Sequence, residues 1–385
     1  MVIVPFRAEA DKELLHDLRE RLARVAWPEE VDGGDWSHGV PVAWMRDLTT
    51  YWREGFDWRA VEARINALPN YRAMIDGAGI HFVHQPGVGP NPMPLLIVHG
   101  WPSSFVEMLD IIPMLADPGA HGGDPSDAFD VVVPSLPGFG YSDRPPAGMA
   151  TRDRFAELLA GLMVGLGYSP FAAHAHDIGA SAVGRLAIDR PDMLIAYSTT
   201  EPGIPAPYFE DRGAPLSEVE DAYRSLQAEW DRAENAYGHL QSTRPTTLAY
   251  GLADSPVAMA AWILDKWHSW TAPASGDLLD AFSRDHLLAN VTLYWVTRTI
   301  DSANRYYYDS PRYSRPIGPQ DRIRVPTGVT LTATQPIERA PRVWAERMFT
   351  DIRDWNELPR GGHFVLGEEP TLMSERLRTF LRGFR

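Results

Sequence analysis

The stretch that decides the fold is Phe171-Ala-Ala-His-Ala-His-Asp-Ile-Gly-Ala-Ser181. Its first five residues are mostly small and apolar and predict a buried strand, and helical spacing from Ser181 predicts a helix that ends at Pro191. Small residues stand two before Asp177 and two and three after it, as in the tight turn called a nucleophile elbow, where larger side chains would collide. Asp177 is therefore a candidate nucleophile that forms an alkyl ester. The alternative is that Asp177 only caps the following helix.

Composition places limits on the function. The chain has 385 residues, of which 44% are hydrophobic and 23% charged, and these values are typical of a globular protein with a substantial core. The formal net charge of −15 argues against nucleic-acid and anionic-membrane partners. The absence of cysteine excludes disulfides, thiolate nucleophiles and thiolate metal ligands. With no signal-peptide pattern and no long apolar run, we expect a cytoplasmic protein.

The pattern of apolar residues predicts an α/β fold in four segments. Residues 1–75 are predicted to be a helical N-terminal extension, and from about residue 72 short apolar strands alternate with helices, as in a helix-flanked parallel sheet. The alternation stops over residues 203–320, where helical patterns rich in Trp and Tyr predict an inserted cap. Residues 76–202 and 321–385 are then the two parts of the core.

Two further segments carry residues suited to chemistry. His99-Gly-Trp-Pro102 directly follows a predicted strand, and Gly361-Gly-His363 precedes the last helix. In an α/β-hydrolase, the loop after that strand and the residue after the nucleophile supply the two backbone donors of the oxyanion hole, which we assign to Trp101 and Ile178. A neutral imidazole at His363 could activate water. Gly and Pro also mark ordinary turns, so the loop is informative only together with Asp177.

These segments support a resemblance that runs nearly end to end. The chain resembles the epoxide hydrolases of the microsomal and juvenile-hormone type, which are α/β-hydrolases with a helical N-terminal extension and a helical cap. The segments that carry the resemblance are Trp27-Pro28, His99–Pro102, Pro134–Gly140, the elbow at Asp177, Tyr237–Gln241 with Thr243–Pro245, Asp254–Pro256, Arg305–Tyr307 and Gly361–Phe364. The animal enzymes of this type carry a membrane anchor, and with no such apolar run in this sequence we expect a soluble bacterial member of the family.

The resemblance implies roles for residues of the cap. In the family, two cap tyrosines hydrogen-bond the epoxide oxygen and protonate it as the ring opens. The matching residues are Tyr237 and Tyr307, with Tyr306 and Tyr308 as alternatives for the second. Phenols suit this role because they remain neutral donors at pH 7. The partners implied are a hydrophobic epoxide and water, without a cofactor or a metal.

The acid that orients the histidine departs from the family pattern. Its usual position corresponds to Pro336, preceded by Gln335, and proline cannot orient an imidazole. Some relatives with an Asp nucleophile, certain haloalkane dehalogenases among them, place a Glu after the strand that follows the nucleophile. Glu201 stands just beyond the predicted strand 194–199. We therefore predict Glu201 as the acid, with Glu338 or no acid as alternatives.

The predicted function is hydrolysis of an epoxide to a vicinal diol through an ester on Asp177. Natural-product biosynthesis, known for some bacterial relatives, and detoxification are both compatible with the composition. One alternative is a haloalkane dehalogenase, although Ile178 occupies the position where those enzymes usually hold halide with tryptophan. Another is a catalytically silent homologue that binds a ligand, which the loss of the usual acid at Pro336 motivates. Base rates for oligomers favour a homodimer.

Overall fold

The centre of the molecule is one nine-stranded sheet. The computed structural model describes residues 1–30, 34–202, 215–271, 276–318, 320–333 and 336–385. The strands are β1 (Val2–Pro5), β2 (Asn70–Ile75), β3 (Ala78–Gln85), β4 (Met93–Val98), β5 (Phe129–Pro134), β6 (Phe171–Ala175), β7 (Leu194–Thr199), β8 (Thr327–Leu331) and β9 (Ile352–Glu357). Their order across the sheet is β1-β2-β3-β5-β4-β6-β7-β8-β9.

The sheet has an antiparallel part and a parallel part. The pairs β1–β2, β2–β3 and β3–β5 are antiparallel. All pairs from β5 to β9 are parallel. Every residue of β6 is buried, which explains its unbroken run of small and apolar side chains, because helices cover both faces of such a sheet. Ligands of such sheets bind at the carboxyl ends of the strands, where the strand order reverses, and β4 and β6 meet at such a point.

Helices surround this sheet. In chain order the described α-helices are α1 (Lys12–Leu22), α2 (Val42–Glu54), α3 (Trp58–Asn66), α4 (Ile111–Ala116), α5 (Arg152–Gly165), α6 (Asp177–Asp189), α7 (Glu218–Ala233), α8 (Ala236–Thr243), α9 (Pro245–Asp254), α10 (Pro256–Trp270), α11 (Leu278–Ala281), α12 (Arg284–Thr297), α13 (Ile300–Tyr313), α14 (Arg342–Ala345), α15 (Val365–Glu368) and α16 (Pro370–Leu381). Among the residues that the structure describes, no single helix has the length and hydropathy of a membrane span. The pair α9 and α10, which is bent by 117°, reaches that threshold only when both helices are taken together.

The first 75 residues differ from the helical prediction at their start, while the strands expected from about residue 72 are present. Strand β1 pairs along its whole length with β2, and β2 forms a hairpin with β3 across Asp76 and Gly77. The prediction missed β1 because four residues are too short for a periodic pattern. It also missed β9, whose residues are mostly polar and half-buried. The boundary between residues 75 and 76 thus falls inside a hairpin, and the division into four segments stays a proposal.

Helices α7 to α13 lie in the chain between β7 and β8, as the predicted cap does, although residues 203–214 of that segment lie outside the described residues. The N-terminal helices pack against this group. The indole Nε1 of Trp52 in α2 donates to Thr292 Oγ1 of α12 at 2.9 Å, and the rings of Trp36 and His268 stack at 3.8 Å. The N-terminal segment therefore supports the cap as well as the sheet.

Candidate active site

The strand, turn and helix predicted around Asp177 are present. Strand β6 ends at Ala175, and Asp177, the first residue of α6, has a φ of 50°, in the left-handed region that L side chains rarely adopt. A Cβ on Gly179 would come within 2.5 Å of the Val98 carbonyl oxygen. A Cβ on Gly100 would overlap the Asp177 side chain itself. Both glycines are needed because the end of β4 and the start of α6 approach so closely.

The two carboxylate oxygens of Asp177 have different surroundings. The backbone N–H of Trp101 donates to Oδ1 at 2.7 Å, while Oδ2 lies 4.0 Å from Nε2 of His363. Ile178, the other residue predicted for the oxyanion hole, follows Asp177 in the first turn of α6, where backbone N–H groups have no intrahelical acceptor. One oxygen is therefore fixed by a donor and the other faces the imidazole.

Two carboxylates approach the opposite side of the imidazole. Nδ1 of His363 donates to Glu338 Oε1 at 2.6 Å, and Glu201 Oε1 lies 3.4 Å from the same nitrogen. Glu201 also accepts a hydrogen bond from the backbone N–H of Asp177 at 2.9 Å. The shorter contact favours Glu338, the alternative acid, over Glu201, while Glu201 bridges the nucleophile and the histidine.

A short helical turn brings Glu338 to the histidine. Pro336–Glu338 forms a 3-10 turn after β8, and Glu338 Oε2 accepts a hydrogen bond from Thr332 Oγ1 at 2.7 Å. The sequence comparison placed the family acid at Pro336, two residues earlier, and the preceding Gln335 lies outside the described residues. Glu338 was only the alternative prediction because its spacing from Pro341 departs from the family pattern, and only the fold of the turn shows which side chain faces His363.

The carboxylates change the pKa of the histidine. Burial alone would lower the pKa of His363, but Glu338, Glu201 and Asp177 together raise it to about 10. Burial also raises the pKa of Glu201; His363 opposes this rise, and the charges of Asp177 and Glu338 add to it. The carboxylates around His363 thus favour the protonated imidazole in the resting site.

The two predicted cap tyrosines meet above the nucleophile. Tyr237 of α8 and Tyr307 of α13 have ring centroids 5.7 Å apart, with the rings edge to face. Burial, with a smaller contribution from the Asp177 charge, raises the pKa of both phenols, so they remain protonated donors. Of the alternatives, Tyr306 donates to Ser181 Oγ at 3.1 Å, and Tyr308 lies beneath the guanidinium of Arg312. The geometry therefore brings together the first-choice pair.

Two tryptophan side chains, which the sequence gave no reason to single out, contact the catalytic groups of this site. The ring of Trp101 stacks on Tyr237 with centroids 5.0 Å apart and meets Tyr307 edge-on at 5.8 Å, and its Nε1 donates to Asn304 Oδ1 of α13 at 2.8 Å. Trp270 lies edge-on to His363 at 5.0 Å, and its carbonyl oxygen accepts from the His363 backbone N–H at 2.8 Å. Nothing in their spacing along the chain indicates these contacts.

A buried ionic pair lies beneath the nucleophile. Glu107 is fully buried, its Oε2 accepts a hydrogen bond from the Ser103 hydroxyl, and it lies 3.5 Å from Nε2 of His176, the residue before Asp177. Burial opposes a charge on either group, yet their mutual attraction raises the pKa of His176 and lowers that of Glu107. The pair therefore adds opposite charges that largely cancel, and sequence reasoning missed it because the two residues are far apart in the chain.

The cluster also has the spacing of a cation site. Ligand atoms of Asp177, Glu201 and His363 lie within 4.8 Å of one another. Oε1 of Glu201 already accepts the backbone N–H of Asp177, and Nδ1 of His363 is used by Glu338. The expectation that no metal takes part stays a prediction.

The nucleophile, the histidine, both carboxylates beside it and one of the two tyrosines open onto one cavity. Its volume is about 360 Å³, within the range of small-molecule sites, and its walls include Asp177, Glu201, Tyr237, Glu338 and His363. Most of the remaining wall is aromatic or aliphatic. The arrangement can hold an apolar molecule beside the carboxylate of Asp177, the phenol of Tyr237 and the imidazole of His363, while Tyr307 lines a neighbouring cavity.

Comparison with known proteins places the chain among relatives along its whole length. The model of the epoxide hydrolase N terminus matches residues 3–108, and that of the alpha/beta hydrolase fold matches residues 93–232. Epoxide hydrolase 1 of Oryctolagus cuniculus is 30% identical over 403 residues, which cover 98% of this chain and 88% of that protein. The chain belongs to the epoxide hydrolase family. A protein of Stigmatella aurantiaca is still more similar, at 40% identity over 385 residues, covering 100% of this chain and 86% of that protein.

Solved structures of the family share the architecture. The juvenile hormone epoxide hydrolase of Bombyx mori superposes with a TM-score of 0.83 at 25% identity, over 100% of this chain and 94% of that one. Aspergillus niger epoxide hydrolase gives 0.84 at 25% identity, over 100% and 97% of the two chains. The α/β-hydrolase fold and the resemblance predicted from the sequence are thereby confirmed, and the chain is an enzyme of the epoxide-hydrolase type.

Proposed function

We propose that this enzyme converts a hydrophobic epoxide to a vicinal diol through an ester on Asp177. One observation carries the proposal: the Asp177 carboxylate has one oxygen fixed by the Trp101 N–H at 2.7 Å and the other 4.0 Å from His363, in a cavity that Tyr237 also lines. A nucleophile, a base and a proton donor thus face the same space.

The first step forms the ester. Oδ2 of Asp177 attacks an epoxide carbon, and the ring C–O bond breaks. The departing oxygen takes a proton from one of the phenols of Tyr237 and Tyr307, so it leaves as a hydroxyl rather than an alkoxide. The N–H of Trp101 holds Oδ1, which keeps the other oxygen aimed at the substrate.

The second step releases the diol. Nε2 of His363 removes a proton from water, which attacks the carbonyl carbon of the ester, and the N–H groups of Trp101 and Ile178 stabilise the oxyanion. The ester C–O bond then breaks, and the departing alkoxide takes the proton from the imidazolium and leaves as the diol. The second proton of the water, carried on the carboxyl of Asp177, passes through His363 to the tyrosine that gave its proton in the first step. Glu338 orients the imidazole through Nδ1, and Glu201 ties the Asp177 backbone to the same ring.

Isotope labelling tests this route. In a single turnover in ¹⁸O water with enzyme in excess, we expect the label in the carboxylate of Asp177 and not in the diol, because water attacks the ester carbonyl. Mass analysis of the peptide that contains Asp177 would detect the label. Label in the diol with none in the peptide would contradict the ester route and indicate direct attack of water on the epoxide.

The finer expectations belong to the proposal too. The haloalkane dehalogenase and the silent homologue lose support, since Tyr237 and Tyr307 stand together over a nucleophile with its base in place. A homodimer, a cytoplasmic location and a role in natural-product biosynthesis rather than detoxification stay predictions. Gel filtration at micromolar concentration would test the first.

A further inference from the structure

The cavity beside Asp177 extends well beyond the catalytic groups. Asp177, Ala180, Ser181 and Gly184 of α6 all line it, and this spacing of three and four residues puts them on one face of the helix. Seven residues of helix between Asp177 and Gly184 correspond to a rise of about 10 Å. The cavity therefore runs from the nucleophile along the first two turns of α6.

Gly184 needs an explanation because glycine destabilises the interior of a helix relative to alanine. Packing gives none, since a Cβ at this position would meet only Ile323 Cδ1, at an ordinary contact distance of 3.8 Å. Gly179, one turn earlier, differs, because its Cβ would come within 2.5 Å of a backbone oxygen. A side chain at position 184 would instead enter the cavity that Gly184 lines.

The far end of the cavity carries little unbalanced charge. Two arginines, Arg152 and Arg185, line the cavity. The Nε of Arg185 lies 2.7 Å from Asp189 and 3.2 Å from Asp153, and Asp153 also lies 3.9 Å from Nε of Arg152. The surrounding wall is formed by aliphatic and aromatic side chains, among them Ile323 and Phe349. This end is thus suited to select an occupant by length and apolar surface rather than by charge.

We propose that the enzyme takes an elongated, apolar epoxide with the ring near one end, and that Gly184 sets the length it accepts. The ring lies at Asp177, and the rest of the molecule lies along α6 over Gly184. This inference rests on the proposed function and specifies the substrate class of the same site.

The test compares two epoxides with the ring at the chain end, epoxybutane and epoxydecane, in the unaltered enzyme, Gly184→Ala and Gly184→Leu. The measured quantity is kcat/KM for epoxydecane divided by kcat/KM for epoxybutane. We expect the unaltered enzyme to favour epoxydecane, Gly184→Leu to lower the ratio by about tenfold or more, and Gly184→Ala to lower it less.

A matched control is Gly251→Leu, which changes a glycine in the exposed part of α9, where a Cβ meets nothing within 4 Å. It should leave the ratio unchanged. The inference would be overturned if Gly184→Leu unfolded at the same temperature as the unaltered enzyme and had the same ratio. The proposed function would then remain intact. Absence of hydrolysis of both epoxides by the unaltered enzyme would overturn the proposed function and this inference with it.

Discussion

At the scale of single residues, the site separates the group that attacks carbon from the group that activates water. If Asp177 forms the ester and His363 only hydrolyses it, His363→Gln should still react with an epoxide but should release the diol about 10²–10⁴ times more slowly. The intact protein should then gain the mass of one epoxide. Asp177→Asn, the matched control, should gain no mass. Adduct formation by both variants would place the ester on another residue.

The two carboxylates at Nδ1 of His363 should differ in importance. The Glu338 contact is 2.6 Å, while Glu201 lies at 3.4 Å and also accepts from the backbone of Asp177, a bond that an amide oxygen can keep. We expect Glu338→Gln to lower kcat by about 10²-fold or more and Glu201→Gln by about tenfold or less. The reverse order in steady-state rates would restore Glu201 as the orienting acid.

The pH dependence should report on the same charges. A protonated His363 cannot accept the proton of water, so the rate of ester hydrolysis should rise with pH between its ordinary pKa of 6.5 and about 10. Because the carboxylates raise this pKa, removing one charge with Glu201→Gln should move the rising limb to lower pH. Single-turnover hydrolysis rates measured across that range check the sign. A limb that moves to higher pH would contradict the electrostatic argument.

At the scale of elements, the elbow depends on how closely β4 and α6 approach. Gly179→Ala places a methyl group against the Val98 carbonyl, so we expect the free energy of unfolding to fall by about 1–3 kcal/mol. Gly251→Ala, in an open part of α9, should raise it by up to about 1 kcal/mol, since alanine is the better helix former. Urea denaturation of both variants tests the comparison. If Gly179→Ala and Gly251→Ala changed the free energy of unfolding equally, the close approach of β4 and α6 would not restrict the residue at position 179.

The sequence predicted the elements that have a strong local pattern. The buried run of β6 and the small residues around Asp177 are such patterns, because steric crowding restricts which residues fit. Strand β9, with mostly polar residues, carries no comparable period. The acid that orients His363 was harder to predict, because Glu338 reaches the histidine through a three-residue turn. The spacing of residues in the sequence does not indicate the direction of that turn. Contacts such as Glu107 with His176 arise only from the tertiary fold.

At the scale of the whole molecule, the N-terminal helices act as a support for the cap. Trp52 is 3% exposed and joins α2 to α12, so Trp52→Ala should lower the free energy of unfolding by about 3–5 kcal/mol. Tyr51→Phe removes only an exposed hydrogen bond to Asp285 and should cost less than about 1 kcal/mol. Chemical denaturation followed by tryptophan fluorescence measures both. A Trp52→Ala variant as stable as Tyr51→Phe would show that the two segments are independent.

The catalytic proposal also has no step that needs a metal ion. Dialysis against EDTA should therefore leave kcat unchanged, even though Asp177, Glu201 and His363 have the spacing of a cation site. The control is addition of zinc, which should inhibit if it occupies these three side chains. A loss of activity in EDTA that zinc or manganese restores would contradict the proposal.

Trp101 connects the nucleophile to the helices that carry the two tyrosines. Its backbone N–H holds the nucleophile, while its ring and indole N–H contact Tyr237, Tyr307 and Asn304 on two cap helices. If the cap moves away to admit a substrate, Trp101 moves with it, and the hydrogen bond from its backbone N–H to Asp177 Oδ1 lengthens. In the open enzyme the carboxylate of Asp177 would then be poorly aligned for attack. A reactive molecule that arrives before the cap closes would therefore alkylate it more slowly.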